Sequence, residues 1–289
     1  MSDMPETAFD STDAYGKRQE MLMLLRASVR PIASDDPMAE AGRKVLLVDF
    51  IEMLQHENGS RTGDDIEDVH QMRVATRRMR SALRLLEPYF KQKTMRPIAD
   101  NLRVLARRLG MVRDLDVLIE DIEKVQGKVG EDGQAALQTI IDHFDVKRQK
   151  ARAKLVKHLD SNTYTRFVDD FAAFLTKEGA GAIEVAENSV TPYQVRHAVP
   201  TLLQDYLGLV RAYDNVMPIV NKTDDTPAEL PEMATLHQLR IEFKRLRYAM
   251  HFFRDVLGTS GKAFIDEIKT MQDLLGRLND TYVAEDHLS

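Results

Sequence analysis

Apolar residues recur along this chain at intervals of three and four, the spacing that places them on one side of an α-helix. Leu22, Leu24, Leu25, Val29, Ile32, Val45, Leu46, Leu47 and Phe50 follow this rule from Ala14 to about Gln55, with Pro31 and Pro37 predicting a break inside the run. HENGSRTGDD reads as a loop, and Asp64 with Glu67 reads as the capping pair of a helix that continues to about Phe90. Ile98, Leu102, Leu105 and Leu109 predict a helix from Met95 that Gly110 ends, with Asp114 capping the next one. Further helices are predicted over residues 134–158, over 162–176 from a cap at Ser161 or Asn162, and from Pro192 to Asn221. KTDDTPAELPE is a linker-like loop, with Pro231 suited to the first turn of the helix that follows. No stretch alternates with period two over a useful length, so the expected fold class is all-α.

The polar positions of one of these helices stand apart. In VHQMRVATRRMRSALR, taking His70 as origin and about 100° per residue, Arg73, Arg77, Arg80 and Arg84 fall at roughly 300°, 340°, 280° and 320°. The five side chains share an arc of roughly 80°. Met72, Ala75, Met79, Ala82, Leu83 and Leu86 lie opposite and form the predicted core face.

The pattern is written twice. HQMRVATRRMR begins at His70 and HQLRIEFKRLR at His237, an offset of 167 residues. Arg73 corresponds to Arg240, Arg77 to Lys244, Arg78 to Arg245, Arg80 to Arg247 and Arg84 to His251. LGMVRDLDV at Leu109 is echoed by LGRLNDTYV at Leu275, where Arg96 finds Lys262 and Arg103 finds Lys269, but Arg107 finds Asp273. Self-similarity of this kind predicts an internal duplication: two related helical bundles about a pseudo-two-fold axis, which would bring both cationic helices to one surface. The expected boundaries are an acidic, disordered tail over 1–14, a first helical repeat over 15–160 and a second over 161–289.

Charge sharpens the reading. The net charge is −6, yet His70 to Arg113 holds twelve Lys or Arg against two acids, whereas Met1 to Asp65 holds thirteen acids against seven bases. A general nucleic-acid binder carries its excess over the whole domain; here it is local. A charged helix face is most often merely solvated, but solvated faces mix signs for i to i+4 pairing and these barely do. Like charges at that spacing repel unless a counter-anion sits among them. Arginine predominates, and its planar fork suits bidentate phosphate contacts. The arcs hold no aromatic residue for stacking bases, although Tyr248 borders the second.

Other chemistries find little support. There is no cysteine, hence neither disulfide nor thiolate metal site, and the matched histidines are surrounded by cations that repel a metal. No cofactor motif, Gly-rich phosphate loop, nucleophile elbow or Mg²⁺-binding carboxylate set is evident, so the chain is expected not to be an enzyme. The N-terminus lacks the basic and apolar regions of a secretory signal and no apolar run reaches membrane-spanning length, which predicts a cytoplasmic protein without membrane contact.

The HxxRxxxRRxR of His70 to Arg80, its echo HxxRxxxKRxR at His237 and the LGxxRD and LGxxND segments after them resemble the CHAD domain, the conserved histidine α-helical domain. The resemblance covers nearly everything after the acidic tail. It implies two four-helix bundles with internal symmetry, a basic central channel that binds inorganic polyphosphate, and association with polyphosphate granules. Through the motif helices it assigns phosphate binding to His70, Arg73, Arg77, Arg78, Arg80, His237, Arg240, Lys244, Arg245 and Arg247. Arg84, Arg96, Arg103, Arg107, Lys262 and Lys269 are expected to assist, with Arg148, Arg152 and Lys154 extending the groove. Arg78 and Arg245, at about 80° on the wheel, are expected to flank it or to pair with Asp114 and Asp280. No CYTH-type triphosphate-processing domain fits, so a stand-alone member is expected. The second bundle lacks a counterpart of the 134–158 helix and is expected to borrow 162–176 or to be cut short. Nucleic-acid binding and an enzyme acting on polyphosphate remain the alternatives.

Overall fold

A computed structural model describes residues 11–186, 190, 192–217 and 231–286, with side chains from Gly16 to Leu278 within those ranges. It is all-α: among the described residues the only β pairing is two isolated bridges, Pro37 with Gln194 and Phe90 with Ala182. The helices are α1 (Ser11–Ala27), α2 (Met38–Gln55), α3 (Glu57–Thr62), α4 (Ile66–Leu86), α5 (Gln92–Gln126), α6 (Glu131–Leu159), α7 (Asn162–Thr176), α8 (Val195–Arg211), α9 (Met233–Phe252) and α10 (Arg254–Asp286).

The chain forms two compact units. One takes the described residues up to 30, with 43–83 and 90–182; the other takes 31–42, 84–89 and the described residues from 183 on. In the first unit Met72, Ala75, Thr76, Met79 and Ala82 of α4 are wholly buried, as the apolar stripe requires. Leu46, Leu47 and Phe50 of α2 and Leu102, Leu105 and Leu109 of α5 are buried too. Helix α7 adds a stacked aromatic row, Phe167, Phe171 and Phe174, and Phe171 meets Phe50 edge-on at 4.8 Å between centroids. α7 therefore belongs to this unit, and the second bundle does not borrow it. The second unit packs Val210 of α8 with Leu236, Leu239, Leu246 and Met250 of α9 and Ile268 and Leu275 of α10.

Several helix ends differ from the sequence expectation. The α1–α2 break falls at Pro31 and Pro37 as predicted. HENGSRTGDD is not all loop: Glu57 is buried and nucleates α3 by pairing with Arg61 at 2.7 Å and Arg18 at 3.3 Å and accepting a hydrogen bond from the Tyr164 hydroxyl at 3.1 Å. Asp65, not Asp64, caps α4, its Oδ1 accepting from the Glu67 amide at 2.8 Å. Ser161 caps α7 by accepting from the Tyr164 amide. The largest difference is Gly110, which ends nothing. α5 passes through it and through the expected cap Asp114, running unbroken to Gln126. Interior glycine costs about 0.5–1 kcal/mol relative to alanine, and the buried stripe from Met95 to Ile119 outweighs it. In α10 the interruption falls instead at Gly258, whose φ of 65° and ψ of −164° are open to glycine alone. α8 ends at Arg211 and is followed by a 3-10 turn over Ala212–Asn215, short of the expected Asn221; residues 218–221, most of the linker-like loop and the tail up to Asp10 lie outside the described residues.

Candidate functional site

On α4 the dry face fixes the rotation of the helix, and the basic arc is what remains. His70, Arg73, Arg77 and Arg80 are half-buried and Arg84 is exposed. Asp114 of α5 reaches Arg73 only at 3.5 Å, across an exposed gap where the pairing is weak. The Nε of Arg77 is buried with no hydrogen-bond acceptor, an open donor within a cationic cluster. Burial holds the His70 imidazole below its usual value, and the guanidinium groups of Arg113, Arg77 and Arg73 act the same way against an opposing pull from Glu67. Neutral His70 can donate one ring N–H; protonated, it can donate two.

On α9 the arc is more open. His237 and Arg240 are exposed, while Lys244, Arg247 and His251 are half-buried. Lys244 and Arg247 lie over the Tyr248 ring, 6.0 Å and 5.2 Å from its centroid. Tyr248 is itself buried, so its face is spent on those cations. The His251 Nε2 accepts a hydrogen bond from Arg254 Nη1 at 2.8 Å.

The first arginine of each motif lies beside a glycine of the following helix. A Cβ on Gly110 would lie 3.8 Å from Arg73 Nε, and one on Gly276 would lie 3.7 Å from Arg240 Nε and 3.8 Å from its Nη2. This is the physical content of the repeated LG dipeptide, and sequence reasoning, which took the first glycine for a stop, missed it. Arg113 was also passed over. Its side chain is only 15% exposed, its Nη1 is buried without a partner, and it adds positive potential at His70. The LGxxRD segment was the available signal.

The remaining predicted residues divide. Arg96, Arg107, Lys262 and Lys269 are exposed on α5 and α10. Arg103 is exposed but pairs with Asp100 at 2.6 Å. Arg78 does not meet Asp114; it approaches the buried Asp49 of α2 at 3.7 Å, because its off-arc position points it back toward the core. Arg245 pairs with Glu242 at 2.8 Å, one turn away on α9; the side chain of Asp280 lies outside the described residues. Arg148 and Arg152 serve the first unit's own structure. Arg148 lies 3.6 Å from the buried Asp116 and 2.5 Å from Asp145. Burial pushes the Asp116 carboxyl up, and Arg148 and Arg113 pull it back. Arg152 donates to the Arg61 carbonyl at 2.9 Å and lies across Gly63, where any Cβ would collide with its guanidinium.

Among the described residues no group of three His, Asp or Glu is placed to hold a metal ion. No described helix is long and apolar enough to cross a membrane. A cleft of about 480 Å³ in the second unit, lined by Tyr89, Thr201, Asp205 and Tyr206 among others, contains no basic side chain and is unsuited to an anion.

Comparison with known proteins agrees with the motif. The CHAD domain family profile matches residues 45–289. Two uncharacterised proteins of Mycobacterium tuberculosis, MT2285 and Rv2226, are each 28% identical over 234 residues, covering 78% of this chain and 40% of theirs. The chain thus spans about two-fifths of the length of these curated relatives. The crystal structure of the CHAD domain from the plant Ricinus communis superimposes with a TM-score of 0.65 at 25% identity, over 90% of this chain and 81% of that one. PptA from Streptomyces chartreusis shares the fold, with a TM-score of 0.60 at 14% identity over 86% and 84% of the two chains.

Proposed function

The chain belongs to the CHAD domain family, and on that premise we propose that it binds inorganic polyphosphate through the basic arcs of α4 and α9 and is carried by it to polyphosphate granules. One observation supports this most: the α4 arc gathers four arginines and a histidine, Asp114 meets Arg73 only at 3.5 Å across an exposed gap, and the buried Nε of Arg77 has no acceptor among the described residues. Such a cluster repels itself until an anion supplies acceptors. Each phosphate of a linear polyphosphate offers oxygens to an arginine fork, and a repeating anion matches a repeating row of cations.

The contact set is His70, Arg73, Arg77, Arg80 and Arg113 in the first unit, and Arg84, His237, Arg240, Lys244 and Arg247 in the second. Exposed Arg96, Arg107, Lys262 and Lys269 flank it. Arg78, Arg103, Arg148, Arg152 and Arg245 stand off the two arcs and are engaged elsewhere in the fold, so they are placed outside the set; Arg113 is included, although its Nη2 lies 3.7 Å from Glu120, because its Nη1 is buried without an acceptor beside His70. Base stacking has no platform, since Tyr248 is covered by Lys244 and Arg247; this favours polyphosphate over nucleic acid.

Calorimetric titration with long-chain polyphosphate tests the assignment. The wild type should bind, with log K falling linearly in log salt as counterions are released. Arg73→Glu with Arg240→Glu should abolish binding at near-physiological salt, and unchanged affinity in that double variant would remove the site. RNA should fail to compete at the same salt. Shortening of the polyphosphate with Mg²⁺ present would instead reveal an enzyme.

A further inference from the structure

α5 and α6 form an antiparallel hairpin whose charge is divided along its length. From Gln92 to Arg113 on α5 there are six bases and one acid, and from Lys147 to Lys157 on α6 six bases and none. Between them, over the part nearest the turn (Asp114 to Asp145), there are nine acids and two bases. The hairpin has a basic root and an acidic tip.

Along α5 runs a second apolar row, turned away from the core. Val104, Met111, Leu118 and Val125 are 40%, 38%, 38% and 51% exposed, each seven residues from the last. Half-buried Leu115 and Ile122 fill the intervals. Seven-residue spacing of outward apolar side chains is the pattern of a helix seam that pairs with another helix. The buried row of the same helix, Met95 to Ile119, is already used by its own unit.

The row is symmetric about a point between Asp114 and Leu115. An antiparallel copy centred there sets Val104 opposite Val125 and Met111 opposite Leu118. It also brings Arg107 and Arg108 of each copy level with Asp121 and Glu123 of the other. Apolar residues then meet apolar ones, and each basic root meets an acidic tip. A parallel copy would set tip against tip. We propose that the outer face of α5 is a homodimer interface, occupied by a second copy of this chain in antiparallel, two-fold arrangement. The seam is about 30 Å long at 1.5 Å per residue. At about 10 Å of helix width, the single helix each copy contributes covers roughly 300 Å² per partner, well below the roughly 800 Å² of a standard interface. The dimer is therefore weak and transient.

The test needs no polyphosphate and is independent of the ligand assignment. Sedimentation velocity of the full chain from about 1 to about 200 µM should show a monomer–dimer equilibrium at low salt, weakened at least about tenfold near 0.5 M salt. Met111→Glu with Leu118→Glu changes only exposed side chains. It should be monomeric over that range, with helical circular dichroism and melting unchanged. Asp121→Lys with Glu123→Lys should associate at least about tenfold more weakly than wild type, as should Arg107→Glu with Arg108→Glu, because each sets like charges together. An equimolar mixture of these two should recover a heterodimer, since every root–tip contact is then complementary. A wild type monomeric throughout, assembly beyond the dimer, wild-type association in the Met111/Leu118 variant, or no association in the mixture of folded charge variants would each overturn the proposal.

Discussion

Replacing Gly110 by alanine should raise the melting temperature of the unliganded protein. The residue lies inside a helix that continues for sixteen residues beyond it, where alanine is favoured over glycine by about 0.5–1 kcal/mol. The added Cβ meets one atom within 4 Å, Arg73 Nε at 3.8 Å, which is ordinary van der Waals contact. Nothing has to move, so the propensity gain is expected in full, a rise of about 1–4 °C for a chain of this size. A longer side chain reverses the outcome for binding. The γ-carbon and methyls of Gly110→Leu would extend into the guanidinium, which must then leave its place beside Asp114. Loss of one charge-assisted contact is worth about 1.5–3 kcal/mol, so polyphosphate affinity should fall about tenfold or more while helicity is kept. Differential scanning calorimetry of both variants with calorimetric titration separates the two effects. A lower melting temperature for Gly110→Ala would refute the reasoning, since the helix would then be strained or interrupted there. Gly276→Ala, 3.7 Å from Arg240, offers the parallel measurement in the second unit.

A bound phosphate opposes the burial and the arginines that hold His70 low, so binding takes up a proton and affinity should rise as pH falls from 7 through the usual histidine range; His70→Gln should flatten the profile, and an NMR titration in which ligand leaves the His70 pKa unmoved would contradict it. In the empty protein the same depression makes the charged imidazole unwelcome in the folded state, so His70 removes stability as pH drops below about 6.5. Arg152→Ala should lower stability by about 1–2 kcal/mol through loss of the bond to the Arg61 carbonyl, yet leave polyphosphate affinity unchanged; a large loss of affinity would return Arg152 to the site. Gly63→Ala should be destabilising in chemical denaturation, because φ is +69° there and the methyl meets the Arg152 guanidinium.

The motif helices were legible because periodicity is local. The residues that face the core on α4 are those the wheel selects, and once that face is buried the arc has no choice of direction. The cap at Ser161 and the bounds of α7 were legible for the same reason. What failed were inferences that depend on distant partners. Whether Gly110 stops a helix depends on the apolar stripe beyond it. Whether Arg148 and Arg152 are available to a ligand depends on Asp116 and on Gly63, 32 and 89 residues away in sequence. Arg78 was expected to flank the groove or to pair with Asp114, and Asp49 on α2 is the carboxylate it approaches. α3 escaped notice because its stability comes from Arg18 and Tyr164 rather than from its own six residues.

The division of charge along the α5–α6 hairpin gives the hairpin of a single copy an electric dipole, one that the antiparallel pairing proposed above cancels. In the field of a polyanion such a body feels a torque as well as an attraction, and it turns before it touches. The positive root swings toward the phosphates and the acidic tip swings away, so an encounter begins already aligned with α4 and the first turns of α5 facing the ligand. Fewer collisions of the single chain with a polyanion are then wasted on the wrong face.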